Sequence, residues 1–178
     1  MIAPEYQTFW HRVGAGLGDG IVLLVVSVVC VTLVKLSKSE VIGTIWSLIH
    51  IFLYDVYAIY MHGRFGRTIG KRTMDLRVVS EHGGPIQWSQ AIRRNAVSLG
   101  LGFIAVLVNL VAMSSGIDVT KHIGKFALAY ISGIWLLADT ICVLATTKRQ
   151  ALHDLLAGTV VIRLDTREEE NVRLEPSA

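Results

Sequence analysis

The chain has 178 residues, 52% of them hydrophobic and only 17% charged, with a mean hydropathy of +0.52. A soluble domain of this size carries about 25% charged residues to cover its surface, and a disordered chain is polar, so the composition argues against both and for an integral membrane protein. The net charge of +3 does not require nucleic acid, because the positions of the cations have another explanation.

The first apolar stretch covers residues 13–34. No basic segment precedes it, and Arg12 and Asp19 interrupt its approach, so it reads as a retained span rather than a cleaved signal peptide. Further apolar stretches follow at 41–61, 96–113 and 126–144. At about 1.5 Å per helical residue each can cross a ~30 Å hydrocarbon core, where the backbone must satisfy its own hydrogen bonds. The expected fold is therefore all-α, a bundle of four transmembrane helices.

Between the second and third stretches lies a patterned segment, 63–95. It opens with the Gly-rich basic run GRFGRTIGKR, in which Arg64, Arg67, Lys71 and Arg72 are candidates to bind anionic lipid headgroups at the membrane surface. Residues 76–79 read as a strand, His82-Gly83-Gly84-Pro85 as a turn, and 86–88 as the return strand of a hairpin. Ser89 is the expected N-cap of the next helix. Residues 159–164, rich in β-branched side chains, are a candidate third strand of this small cytoplasmic β element. The membrane domain then covers 1–164, and the acidic stretch 165–178 reads as a disordered solvated tail.

Thirteen of the Lys and Arg residues fall before the first stretch, in 63–95 and after the fourth, against four in the two other loops. The positive-inside rule then puts both termini and the middle segment in the cytoplasm of a multi-pass cell-membrane protein. Cys30 and Cys142 lie inside apolar runs near opposite faces, so neither a disulfide nor a metal site is expected.

Three acids interrupt the spans. By residue count Asp19, Asp55 and Asp139 each sit about 8–9 Å inside the cytoplasmic boundary. An Asp near a helix centre costs about 2.5–3.5 kcal/mol on insertion scales, which the Leu, Ile and Val of one span offset, so the acids insert but turn inward. Helical spacing puts Arg12 on the face of Asp19, His62 on that of Asp55, and Asn109 on a polar stripe of the third span. Arg12 is expected to neutralise Asp19. A like-charged cluster favours shared protons, and carboxylates with Asn109 are hard-oxygen ligands. The candidate ion or proton site is thus Arg12, Asp19, Asp55, Asp139, Asn109 and His62, taking a monovalent cation or a proton. The alternative is a polar lock that fixes helix register in a non-transporting scaffold. Gly14/Gly18 and Gly16/Gly20 are two small-xxx-small pairs suited to close helix approach.

Other motifs carry less. Gly16-Leu17-Gly18-Asp19 with Tyr54-Asp55 resembles the pair of intramembrane aspartyl proteases, but in reversed order and on too few spans. The Gly-rich run is not a P-loop. His153-Asp154 has no motif-placed nucleophile; Asp154 reads as an anchor of the C-terminal segment to Arg72 or Arg94. No enzyme activity, cofactor or nucleic-acid partner is expected. Four helices in so short a chain enclose little volume, so a homo-oligomer is.

Three blocks in order, FWHRVGAGLGDGIVLL, GRTIGKRTMDLRVVSEHGGPIQWSQAIRRN and RQALHDLLAGTVVI, resemble the RDD family of membrane proteins from residue 9 to about 164. The resemblance implies a polytopic membrane domain whose signature Arg and first Asp are Arg12 and Asp19, with Asp154 the best match to the second Asp. Some similar proteins are associated with sodium/proton exchange, which the resemblance extends to this chain as an expectation.

Overall fold

The computed structural model describes residues 6–115 and 123–164. The tail and Lys121 lie outside the described residues, as do the side chains of Asn109 and Lys125. The chain is mostly helical. The four apolar stretches fall on α1 (Phe9–Ser37), α2 (Glu40–Phe65), α5 (Ala96–Ser115) and α6 (Ile123–Ala145). Short helices α3 (Ile69–Thr73), α4 (Trp88–Arg94) and α7 (Leu152–Ala157), with strands β1 (Leu76–Ser80) and β2 (Thr159–Arg163), form the segments between and after them.

By length and apolarity α1 and α2 each suffice to cross a membrane. A third crossing results if α4 and the start of α5 form one span bent by 57°. The side chains agree. Leu17, Ile21, Leu24 and Leu33 on α1 are more than 60% exposed, a surface that water would not tolerate over such an area but lipid does. A two-residue turn at Lys38, in the left-handed region (φ 51°), and Ser39 reverses the chain between α1 and α2; the Ser39 hydroxyl caps α2 by accepting the Ile42 N–H at 3.4 Å.

The tightly buried core lies outside the long helices. Leu76, Val78 and Val161 are fully covered, and they pack with Ile86, Ala91 and Ala15 of α1. Strands β1 and β2 pair antiparallel, with Leu76 opposite Arg163 and Ser80 opposite Thr159. The hairpin and three-stranded expectations are corrected here: among the described residues the sheet has two strands, and Ser80 and Thr159, which pair across it, are 79 residues apart in the chain. Residues 86–88 give no strand. Gly83 and Gly84 take positive φ (90° and 82°), one bridge joins Val79 to Pro85, and the chain then turns into α4. Pro85 has no N–H with which to extend a ladder. Helix α4 is capped two residues earlier than expected: Gln87, not Ser89, is its N-cap, its N–H donating to Gln90 Oε1 at 3.0 Å.

Helix α3 lies directly on α1, and one glycine makes that possible. A Cβ at Gly70 would overlap the Ala15 carbonyl oxygen. Of the two small-residue pairs on α1, Gly14 and Gly18 face Met74 and Gly70, whereas Gly16 and Gly20 face open space. The first pair serves close packing, and its partner is the segment of α3 and Met74 rather than another long helix.

Candidate functional site

The polar residues at one end of the helices form two hydrogen-bonded clusters, each centred on a carboxylate, beside a cavity. In the first cluster Asp19 is 4% exposed and accepts three hydrogen bonds. Tyr57 Oη donates to Oδ1 at 2.7 Å, Gly70 N–H to the same oxygen at 2.7 Å, and Thr68 Oγ1 to Oδ2 at 2.6 Å. Thr68 also caps α3, accepting the Lys71 N–H at 3.3 Å. One carboxylate thus ties α1, α2 and α3 together, and its charge is met by neutral donors.

The second cluster centres on Asp154, which is wholly buried. Its Oδ2 accepts from Arg12 Nη1 at 2.7 Å and from the Ala151 N–H at 3.1 Å; its Oδ1 faces Arg94 Nη1 at 2.6 Å and Thr159 Oγ1 at 3.3 Å. Burial alone would raise the Asp154 pKa, but Arg94, His153 and Arg12 outweigh it and hold the carboxyl well below the usual carboxylate range. Arg12 is therefore not the partner of Asp19, as helical spacing suggested, but of Asp154. Arg94 shares that carboxylate, while Arg72 is exposed and plays no part.

The cavity, about 430 Å³, lies beside both clusters. Asp19 and Asp139 line it; Asp55 does not. Asp55 is 2% exposed with the Ser98 hydroxyl of α5 as a hydrogen-bond partner, and its Oδ1 has none. The three acids therefore keep separate partners. Among the described residues no group of three or more His, Cys, Asp or Glu side chains is arranged to hold a metal ion. Asp139 accepts from His153, from Nδ1 at 2.8 Å and from the backbone N–H at 3.1 Å.

Two histidines on the cavity wall have their tautomers fixed by their partners. His62 Nδ1 lies 2.6 Å from the Ala58 carbonyl, which can only accept, so that nitrogen carries the proton. Its Nε2 then accepts, and it faces Lys71 Nζ at 2.8 Å. His153 likewise gives Nδ1–H to Asp139 and turns Nε2 to Arg94 Nη2 at 3.1 Å. The His62 ring is neutral in this arrangement, with its proton on Nδ1.

Lys71 is the residue whose place the sequence concealed. It was grouped with Arg64, Arg67 and Arg72 as a headgroup cation. Arg64 and Arg72 are exposed and Arg67 half-buried, but Lys71 turns inward onto His62 and the cavity. Burial and the nearby Arg94 pull its pKa down to about 7. The available signal was periodic: Lys71 follows the Gly70 that α1 forces inward. Thr68 was missed as well, although a Thr three residues before a helical N–H is a capping pattern.

A sequence model described as the RDD family matches residues 6–158. No curated protein and no solved structure matches at a significant level.

Proposed function

The chain belongs to the RDD family of membrane proteins, and from that premise we propose that it exchanges a monovalent cation for a proton across the cell membrane. The observation that supports this reading is the cavity, whose largely apolar wall carries the ionisable side chains of Asp139, His153, His62 and Lys71. Asp139 and the Ser98 hydroxyl supply hard oxygen of the kind alkali cations take. In this reading α1, α2, α5 and α6 are four crossings with both termini cytoplasmic, as the bias of Lys and Arg requires. Exposed Arg64 and Arg72, with Arg67, meet anionic headgroups, and copies of the chain associate to complete the path. The chain is a transporter, not an enzyme.

A second reading has its own support. Asp19 and Asp154 have their oxygens occupied by protein donors, which suits a polar packing lock in a non-transporting scaffold. The full chain in liposomes separates the two. Exchange predicts that Na⁺, K⁺ or Li⁺ dissipates an imposed pH gradient. A folded chain that leaves the gradient intact with all three ions fits the scaffold.

A further inference from the structure

The exchange reading leaves open which group gives up the proton. The expected donors were clustered carboxylates, but Asp19 is filled by three donors and Asp139 is held by His153. Lys71 is placed differently. Its side-chain partner is the neutral Nε2 of His62, and among the described residues no carboxylate lies within ion-pair distance of it. His62 is itself pinned by the Ala58 carbonyl, so its lone pair stays aimed at the ammonium and accepts whether or not the cavity changes occupancy.

The charges around the cavity give this proton a consequence. Arg12 and Asp19 face Lys71 from α1, Arg94 from α4 and Asp154 from α7. Asp139 and His153 stand farther round the wall, with Tyr54 and His62 from α2. Leaving the histidines aside, Arg12 and Arg94 offset Asp19 and Asp154. Lys71 and Asp139 remain as one positive and one negative group. While Lys71 is protonated the set is neutral and an entering cation gains little. Once the proton leaves, one negative charge is uncompensated in a low-dielectric chamber, which favours a single cation.

We propose that Lys71 carries the exchanged proton, one for each monovalent cation that enters beside Asp139. This rests on the exchange reading and adds a group and a stoichiometry to it. In the step one N–H bond of the ammonium breaks, the proton passes to water in the cavity, and the nitrogen keeps the pair as a neutral amine still next to His62. The cation takes the charge that the proton vacates, so the chamber's net charge is the same before and after. A Lys pKa of about 7 places this release in the physiological range.

The test is acylation of the full chain by acetic anhydride in pulses from pH 5 to pH 10, since only the neutral amine reacts, with labelling of Lys71 read by peptide mass spectrometry. Choline chloride and NaCl, KCl or LiCl are compared at equal ionic strength. We expect half-labelling near pH 7 in choline, moving down by about one pH unit when the cation is tenfold above its dissociation constant, a tenfold linkage. A second arm is the Lys71→Arg protein, checked for folding by its melting temperature: flux should be lost, because guanidinium keeps its proton. Half-labelling near pH 10 with flux intact overturns the assignment and spares the exchange reading. So does a half-point that no cation moves while flux is present, or full flux in Lys71→Arg. No flux and no cation effect overturn both.

Discussion

Arg12 Nη1 and Asp154 Oδ2 lie 2.7 Å apart although 142 residues separate them in the chain. The contact closes the C-terminal segment onto the start of α1, and Arg94 completes it from α4. Because the carboxylate is fully buried between two guanidinium groups, its removal leaves uncompensated charge. Asp154→Ala should therefore cost about 3–5 kcal/mol, the usual result of deleting one partner of a buried pair. Melting of the detergent-solubilised protein checks this, and a fall of under ~2 °C would contradict a cost of that size.

The same carboxylate sets an acid limit. Its pKa is held below the unfolded value of 3.8, so between the two values the unfolded chain binds a proton that the folded chain does not. Stability from this group is complete above about pH 5 and falls as the pH drops through and below the unfolded value. The melting temperature of the wild type should decline over that window more steeply than that of Asp154→Asn, which starts lower and has no proton to bind at this position.

Lys71 gives the opposite dependence. Its folded pKa of about 7 lies below the unfolded 10.5, so between them the unfolded state holds the extra proton and stability rises with pH. Lys71→Met should melt above the wild type at pH 6, and the difference should close as the pH approaches 10. A constant difference across that range would mean that Lys71 titrates normally.

The glycines of α1 and α3 divide by what they face. Gly70→Ala drives a methyl into the Ala15 carbonyl and must push α3 off α1, so it should lower the melting temperature sharply. Gly16→Ala points into open space and should be neutral or stabilise slightly, since Ala is the better helix residue by about 1 kcal/mol. Equal effects of the two substitutions would show that α3 does not sit where it is placed here.

For Asp19 the charge is met by neutral donors, and hydrogen bonds to a charged group contribute about 1.5–3 kcal/mol each. Thr68→Val and Tyr57→Phe should each destabilise by about that amount, and the double variant by less than the sum, because both act on one carboxylate. A double-mutant cycle by thermal or denaturant unfolding measures the coupling.

The sequence revealed the long apolar helices because hydropathy depends on composition within one segment, and lipid leaves few alternatives to a helix. It also marked Asp19, Asp55 and Asp139 as residues with no cheap place in a membrane, and Arg94 as one of two candidate partners of Asp154. What it withheld is pairing. Helical spacing tells that Arg12 and Asp19 share a face, but not that a carboxylate from beyond α6 reaches Arg12 first while Thr68 and Gly70 fill Asp19. The β1–β2 pairing is equally non-local: residues 86–88 were nearer in sequence to β1, yet Pro85 and the two positive-φ glycines send them into α4. Lys71 was hidden for a related reason. Its neighbours Arg64, Arg67 and Arg72 read as one basic run, and only the seating of Gly70 on Ala15 rotates Lys71 away from them.

The division between carboxylates tied up in packing and a working chamber is tested most directly by proton flux under an imposed Na⁺, K⁺ or Li⁺ gradient, measured in liposomes for the wild type and Asp139→Asn at matched incorporation. Asp139 faces the cavity and among the described residues its hydrogen-bond partner is His153, so its loss should abolish cation-driven flux while leaving the melting temperature within a few degrees. Wild-type flux that persists undiminished in Asp139→Asn, or a wild type that moves no protons with any of the three ions, would contradict it.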